Sequence, residues 1–547
     1  MSKFKTHLAS LDKKLDKCLP LILILVLVVF LRVPNFFEPY WYGDEAIYLT
    51  VGNGLNQGKV LYKDIMDHKT PIIYYLARVP NQLWFRVLLL GWSLVIISSF
   101  YFFIQKLVRS RFVGWLATLV VAMLTTLPWF EGNIPNGELF VLGFVMLGFL
   151  LLSKTSLFKY AFDSNATKTK STGSFLSKLK IHFKQTKPDR LLILAAGFFF
   201  GLGLMTKVPA LFDFAAALSL VFVGYLAHIS YKNFRLKQLW QALPPALGYG
   251  LMLTIGFLLP TVLSIIYFYF KGALPDYIHY GLLYNFHYAG TWHHDFGSSF
   301  LNFAFTLKGK VVFLALLTLL VIGLKNKISP KFQFALFWSG LTLVASLLSN
   351  RPYPHYFIQL IPAFSLLVFL TIDELVYAAK RTKKTSAGAI DIIFGTGLII
   401  ITLTALQLLQ VKTYSTFDYY QKFFKLMTGN ITKQTYDESF NVLVADNNQA
   451  AKTIGATQDK EMFIWGTNPM LYALTKTTPP TRFVVLFHIE DVNAYDEVTA
   501  DVMQNPPRYI VVMNGTRNMP DELGAFVEKH YLPNYQFDHF VLWRKIL

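Results

Sequence analysis

The sequence predicts a bundle of membrane-spanning helices that carries a small α/β domain at its C-terminal end. Hydrophobic residues make up 54% of the 547 positions, charged residues make up only 15%, and the mean hydropathy is +0.41. Soluble domains carry about one quarter charged residues, and a helix needs about 20 apolar residues to cross a bilayer. Apolar runs of that length recur about eleven times along the chain, so we expect an integral, multi-pass protein of the plasma membrane.

The first apolar run begins at Leu19 and is followed by no small-residue cleavage site. It therefore predicts an anchor and not a removed signal peptide. The expected spans cover residues 19–36, 82–104, 112–130, 137–153, 190–206, 209–229, 244–269, 306–324, 332–349, 355–376 and 389–410.

Basic residues are concentrated in alternate connections between these spans. They lie before the first span and within 106–111, 154–190, 232–237, 325–331 and 380–384. Because connections rich in Lys and Arg stay in the cytoplasm, we expect a cytoplasmic N-terminus and outer loops at 37–81 and 270–305. The net charge of +19 then reflects membrane topology, and we expect no nucleic-acid partner.

The last part of the chain has a different pattern. After residue 410, the short β-rich runs EMFIWG, RFVVLF, RYIVVM and HFVLWRK alternate with the helical segments DVNAYDEVTADVMQN and PDELGAFVEKHY. This pattern predicts a transmembrane domain over 1–410 and an extracytoplasmic α/β domain over 411–547. The single cysteine, Cys18, excludes an internal disulfide.

Two adjacent acids stand in the first outer loop, within PYWYGDEAIYLTVG. Asp44 and Glu45 follow Gly43 and would occupy the first turn of a short helix, where the helix dipole favours ionised carboxylates. Acids at an apolar membrane surface are costly, and such a carboxylate can accept a proton or hold a metal. The alternative is that both are ordinary acids at a helix start.

A cation stands beside a helix start further along the same loop. In Asp67, His68, Lys69, Thr70 and Pro71, the proline suits the first helical position and the threonine suits the cap. Lys69 would then lie beside free backbone amides, as in an anion site. A lysine that only extends to the membrane edge is the alternative.

The same local pattern recurs twice on the outer side. Lys207 precedes Pro209, and Arg351 precedes Pro352. Three cations at outward-facing helix starts, on the same side as the two acids, favour a phosphate-bearing ligand.

A fourth polar group lies in the turn WFEGNIPNGELF. Glu131, Asn133, Asn136 and Glu138 cluster there, and Glu138 falls in the first turn of the expected fourth span. Dipole complementarity explains Glu138 without a function, whereas binding of a polar acceptor or sugar is the functional alternative.

Metal binding is not fixed by any spacing in the sequence. The histidines of the second outer loop, His279, His287, His293 and His294, match no zinc pattern. Asp44, Glu45 and a histidine could bind Mg or Mn, but the cations could also neutralise a phosphate unaided, so no cofactor is certain.

Four of these segments together resemble a known group of enzymes. GDEAIY, GKVLYKDIMDHKTPIIYYL, GLMTKVPA and RPYPHYFIQLIP resemble, in order and side, motifs of the GT-C glycosyltransferases, especially the bacterial protein-mannosyltransferase and aminoarabinose-transferase branch. The resemblance implies an inverting transfer at the outer leaflet from a polyprenyl-phosphate sugar to a lipid, glycan or protein acceptor.

The resemblance also implies roles for individual residues. Asp44 aligns with the family's acid that activates the acceptor, and Lys69 and Lys207 align with lysines on the phosphate side. The residues expected to complete the phosphate site are Arg351, Tyr353, His355 and Tyr356. The expected supporting or acceptor-side residues are Glu45, Asp67, His68, Asn136 and Glu138, although NIPNGE departs from the family's more usual Asp-containing turn.

The main rival function is a transporter or flippase that moves a polyprenyl-linked sugar without breaking its glycosidic bond. It predicts ionisable residues deep within helices, whereas here they gather at the outer edge. The sequence leaves the sugar and the acceptor open.

Overall fold

The chain is mostly helical, with a small sheet near its C-terminal end. This computed structural model describes residues 18–162, 189–226, 236–290, 292, 295–324, 327–379, 386–455 and 461–546. The basic stretch 163–188 and the histidines His293 and His294 lie outside the described residues.

The helices up to residue 270 alternate between long apolar segments and short turns. They are Cys18–Phe37, which ends in the 3-10 turn Val33–Phe37, then Gly43–Asn56, Ile72–Leu76, Gln82–Ile104, Arg111–Leu124, Pro128–Phe130, Gly137–Leu152, Ser156–Phe162, Arg190–Leu204, Val208–Ala210, Leu211–Leu226 and Leu236–Phe270. The next group is Leu274–Asp276, the π-helical turn Tyr277–Leu283, Tyr284–Gly290, Ser299–Phe305, Leu307–Gly323, Pro330–Ser346, Pro354–Leu360, Ile361–Ala379 and Ser386–Leu408.

Several of these helices can cross a membrane. Among the residues that the structure describes, five helices qualify by length and composition, namely Cys18–Phe37, Gln82–Ile104, Ala246–Phe270, Pro354–Tyr377 and Ala389–Leu408. The number rises to 7 if two pairs bent by 81° each form one span. Shorter apolar helices accompany them. The protein is therefore a multi-pass membrane protein, while the expected count of eleven spans stays a prediction.

Small residues let two of the long helices approach closely. A Cβ atom added at Gly197 would lie 2.1 Å from the Leu253 carbonyl oxygen, and one at Gly256 would lie 2.2 Å from the Leu194 carbonyl oxygen. Helices Arg190–Leu204 and Leu236–Phe270 thus touch backbone to backbone, as is typical of helix packing in membranes.

The C-terminal part combines helices with a four-stranded sheet. Its helices are Thr416–Met427, Lys433–Glu438, Leu443–Gly455, Pro469–Thr475, Leu486–Asp491, Tyr495–Gln504 and Asp521–His530. Its strands are β1 (Phe463–Trp465), β2 (Tyr509–Met513), β3 (Tyr531–Gln536) and β4 (Phe540–Lys545). The sheet order is β1-β2-β4-β3, with β1 parallel to β2 and the other pairs antiparallel.

The prediction of a strand at RFVVLF was wrong. Met66 donates its backbone N–H to the Arg482 carbonyl at 2.7 Å, and Met66 forms an isolated bridge with Phe483. The segment therefore pairs with the loop that follows helix Gly43–Asn56 and continues into helix Leu486–Asp491. This brings C-terminal residues against the loop that carries Asp44, whereas the domain boundary at 410 stays a prediction.

Candidate active site

The residues that the sequence singles out largely converge on one cavity. Its volume is about 610 Å³, and it lies where the first-loop helix Gly43–Asn56, the starts of later helices and helix Leu486–Asp491 meet. The expected site residues that line it are Asp44, His68, Lys69, Glu138, Lys207, Arg351, Tyr353, His355 and Tyr356.

Asp44 enters the cavity from the first turn of its helix. Its Oδ2 accepts a hydrogen bond from the Tyr48 hydroxyl at 3.3 Å and lies 3.6 Å from Lys69 Nζ. Burial favours the neutral acid, but Lys69 and His355 outweigh it and hold the pKa of Asp44 below its ordinary value. The side chain of Asp44 is 30% exposed, so this carboxylate is ionised and accessible from the cavity.

Lys69 is fixed between two carboxylates. Its Nζ lies 3.6 Å from Asp44 and 3.4 Å from Asp67, and its backbone carbonyl accepts from the Tyr62 hydroxyl at 2.7 Å. Burial opposes its charge, yet the two carboxylates raise the pKa of Lys69 above its ordinary value. It is a permanent cation in a buried position.

The helix after Lys69 differs from the prediction. It covers only Ile72–Leu76, and the Thr70 hydroxyl donates to the Leu204 carbonyl at 2.9 Å instead of capping the helix. Lys69 is therefore placed by side-chain contacts and not by a capped helix start.

Lys207 and Glu138 form an ion pair on another wall of the cavity. Glu138 lies in the first turn of helix Gly137–Leu152, as expected. The Lys207 ammonium group also stands 4.4 Å from the ring centre of Tyr356. A phosphate that entered here would share Lys207 with a carboxylate.

The segment from Arg351 to Tyr356 supplies the remaining wall. The Arg351 guanidinium lies 4.2 Å from the ring centre of Tyr288 and 5.3 Å from that of Trp292. The Tyr353 and His355 rings are stacked, with their centres 5.7 Å apart. Aromatic rings thus hold the guanidinium and the imidazole in fixed orientations.

Three expected supporting residues, Glu45, Asp67 and Asn136, lie outside the cavity lining. Glu45 is buried and binds Arg86 at 2.7 Å and Gln82 at 3.0 Å, so it faces a different part of the protein from Asp44. Asn136 is fully buried, and its side-chain amide makes no hydrogen bond to any residue in the described ranges.

The residues placed to hold a metal are Asp67, His68 and His488, and not the expected set of Asp44, Glu45 and a histidine. Asp67 Oδ1 lies 3.0 Å from His68 Nδ1 and 3.2 Å from His488 Nε2. Burial, joined by the Lys69 charge, lowers the pKa of His68 to about 4 although Asp67 opposes the shift, so its imidazole is neutral. One carboxylate and two imidazoles fit a transition ion such as zinc better than Mg.

Comparison with solved structures identifies the fold. ArnT from Cupriavidus metallidurans, solved bound to undecaprenyl phosphate, superimposes with a TM-score of 0.51 at 13% sequence identity, over 96% of this chain and 98% of that one. The chain has the GT-C fold.

Two structures of an oligosaccharyltransferase from Archaeoglobus fulgidus match less well. AglB in complex with an inhibitory peptide and a dolichol-phosphate has a TM-score of 0.40 at 10% identity, and an apo form has 0.41 at 12%. Each match covers 92% of this chain and 70% of that one. No family model and no curated protein sequence matches the chain.

Sequence reasoning missed the contribution of the C-terminal part to the cavity of this GT-C fold. Phe487 and Asp491 line the cavity, and His488 contacts Asp67 behind it. These residues lie within and after the run that we expected to be a strand, and a lone histidine in an apolar run gives no signal of a site. The pairing of Met66 with Phe483 and the ion pair between Arg482 and Asp276 bring them to the cavity.

Proposed function

We propose that this protein transfers a sugar from a polyprenyl-phosphate donor to an acceptor hydroxyl at the outer leaflet of the plasma membrane. The transfer inverts the anomeric centre, and Asp44 is the general base. The donor phosphate is held by Lys69, Lys207 and Arg351. The proposal includes the topology expected from the positive-inside rule, with the N-terminus in the cytoplasm and the C-terminal part outside.

One observation supports the proposal most strongly: an accessible carboxylate and three cations line a single cavity. Asp44, Lys69, Lys207 and Arg351 are far apart in the sequence, and all four line the same space of about 610 Å³. The likeness to ArnT, solved with undecaprenyl phosphate bound, also favours a lipid phosphate as part of the donor.

The reaction needs a base on one side and positive charge on the other. The acceptor oxygen forms a bond to the anomeric carbon, and its proton passes to the Asp44 carboxylate. The bond from that carbon to the phosphate oxygen breaks, and its electron pair stays on the phosphate. Inversion follows because the acceptor attacks from the face opposite the phosphate.

The cations act on the charge that develops as the phosphate leaves. Positive groups that are already in place stabilise this charge without rearrangement, and their effect is larger where water is excluded. Lys69 is buried and held by two carboxylates, and the Arg351 guanidinium is held against aromatic rings. A metal held by Asp67, His68 and His488 would stabilise the loop that carries Lys69 and would add positive charge nearby.

Purified protein in detergent or vesicles, supplied with radiolabelled polyprenyl-phosphate sugars, tests the proposal. We expect label to move from the lipid to an acceptor, or to water when no acceptor is present. Binding of the donor without breakage of the glycosidic bond would support the transporter or flippase instead and would overturn the proposal.

A further inference from the structure

Glu131 has an unusual backbone conformation beside the cavity. Its φ is 60° and its ψ is 30°, which is the left-handed region, and its N–H donates to the Pro128 carbonyl at 2.8 Å. A residue with a Cβ atom seldom adopts this conformation, and such exceptions concentrate at functional sites. The side chain is almost completely buried. The chain therefore keeps a buried carboxylate on a residue whose backbone conformation is itself unfavourable.

The Glu131 carboxylate is directed at His355. It pairs with Nδ1 of the imidazole, and the residue is only 4% exposed. The other ring nitrogen, Nε2, makes no hydrogen bond to any residue within the described ranges, and His355 lines the cavity. With Nδ1 engaged by Glu131, Nε2 is the nitrogen left for a ligand.

Tyr42 completes the arrangement. Its hydroxyl donates to Glu131 Oε2 at 2.8 Å and lies 3.2 Å from His355 Nδ1. The Tyr42 hydroxyl and His355 Nδ1 both contact Glu131 Oε2, so the ring hydrogen at Nδ1 is directed to the carboxylate. Nε2 of a neutral ring is then an acceptor, whereas Nε2 of the imidazolium carries a hydrogen that can be donated to a phosphate. When His355 is protonated, the Glu131 charge stabilises the imidazolium at close range.

The other charged groups near His355 belong to the cavity. Glu138 favours its positive charge and Lys207 opposes it, while Asp44 lies on the same side of the site. Tyr414 also approaches Glu131. Of these groups, Glu131 is the carboxylate bonded to the ring itself.

We infer that Glu131 is a positioning residue that directs the Nε2–H group of the protonated His355 ring at the phosphate of the lipid donor. The inference rests on the proposed function, because it takes the cavity as the donor phosphate site. The inference adds Glu131 to the phosphate site. Glu131 does not contact the phosphate itself but acts on it through His355.

A double-mutant cycle on phosphate affinity tests the inference. The affinity of the full-length protein for undecaprenyl phosphate is measured for wild type, Glu131→Gln, His355→Gln and the double variant. We expect each single variant to bind about 10-fold more weakly, and the double variant to bind no more weakly than His355→Gln alone. Glu438→Gln, an exposed carboxylate on helix Lys433–Glu438, is the control and should bind as wild type does.

Two further measurements separate positioning from loss of structure. Tyr42→Phe keeps the carboxylate and should weaken binding by a smaller factor, again with no added effect in the His355→Gln background. In transfer assays, Glu131→Gln should lower kcat and leave KM for the acceptor unchanged.

The outcomes distinguish this inference from the proposed function. If wild type binds undecaprenyl phosphate but transfers no sugar, the proposed function fails while the affinity cycle still decides the role of Glu131. Additive effects of Glu131→Gln and His355→Gln, or wild-type affinity in Glu131→Gln, would overturn the inference. An absence of wild-type affinity for the phosphate would overturn it as well.

Discussion

Asp44 and Glu45 are neighbours in the chain but have different surroundings. Asp44 is partly exposed in the cavity beside Lys69, whereas Glu45 is buried against Arg86. Successive residues of a helix point in directions about 100° apart, so two adjacent acids cannot both face one ligand. The pair thus divides into an accessible carboxylate and a buried partner of an arginine.

Replacement of Asp44 tests its role as the base. We expect Asp44→Asn to lower the transfer rate by about 10²–10⁴-fold, because an amide cannot accept the acceptor proton, and to leave undecaprenyl phosphate affinity nearly unchanged. Single-turnover rates with labelled donor measure the effect. Asp64→Asn, in the same loop but outside the cavity lining, is the matched control. Full activity in Asp44→Asn would show that the base assignment is wrong.

Replacement of Glu45 should affect stability rather than chemistry. Glu45→Gln leaves the Arg86 guanidinium buried and partly uncompensated, although Glu38 still lies 3.2 Å from it. Loss of one partner of a buried ion pair costs about 3–5 kcal/mol, and Glu38 should reduce that cost here. The unfolding temperature in detergent should fall clearly below that of wild type. An unchanged unfolding temperature together with lost transfer would instead assign Glu45 to the reaction.

The charges around Asp44 predict how activity depends on pH. Burial is outweighed by Lys69 and His355, which hold the pKa of Asp44 below its ordinary value, so the ionised base persists as pH falls through the ordinary titration range of an aspartate. Lys69→Gln removes a charge that lowers this pKa, so the acid limb of kcat/KM should move to higher pH. Profiles from about pH 4 to pH 8 measure the shift. Two profiles of the same shape, differing only in height, would contradict it.

At the scale of elements, the first-loop helix must pack closely to keep Asp44 in place. A Cβ atom at Gly52 would lie 2.3 Å from the Ala77 carbonyl oxygen, so helix Gly43–Asn56 lies against the turn after Ile72–Leu76. Helix Gly43–Asn56 carries Asp44, and helix Ile72–Leu76 comes just after Lys69 in the chain. Their contact therefore sets the separation of the carboxylate and the first cation.

Enlargement of Gly52 tests this contact. We expect Gly52→Ala to force the two elements apart, to cost about 1–3 kcal/mol of stability and to reduce transfer. Gly91→Ala, in helix Gln82–Ile104, adds a methyl group with no neighbour within 4 Å and is the control. Thermal unfolding and transfer assays measure both variants. Equal stability of Gly52→Ala and Gly91→Ala would show that the close approach is not required.

Local pattern was enough to predict most elements of the fold. Apolar runs identify membrane helices because an unpaired backbone cannot lie in lipid, and DVNAYDEVTADVMQN contains helix Tyr495–Gln504 as expected. RFVVLF was predicted wrongly because its composition suits a strand while its partner, Met66, lies more than four hundred residues earlier. Strand β3 was missed because YLPNYQ contains a proline and polar residues.

The three cations that line the cavity could be predicted from the sequence, whereas the residues that helix Leu486–Asp491 brings to the cavity could not. Lys69, Lys207 and Arg351 each stand one or two residues before a proline, a pattern visible in the sequence. Glu131 and His488 carry no such pattern. Their importance depends on contacts with His355 and Asp67, which only the folded chain brings near.

At the scale of the whole molecule, the C-terminal part is joined to helix Gly43–Asn56 and to the segment that carries Asp276, beside the cavity. Arg482 binds Asp276 at 2.8 Å and Glu497 at 2.6 Å, and Asn53 donates to the Lys476 carbonyl at 2.6 Å. These contacts hold helix Leu486–Asp491 at the cavity, where it supplies Phe487 and Asp491. The membrane part and the C-terminal part therefore build the cavity together.

A cryo-electron microscopy map of the full chain with undecaprenyl phosphate tests the central claim most directly. We expect the phosphate in the cavity, within about 4 Å of the side-chain nitrogens of Lys69, Lys207 and Arg351, with the Asp44 carboxylate facing the same space. A phosphate bound elsewhere on the protein, with this cavity free of lipid, would contradict the claim.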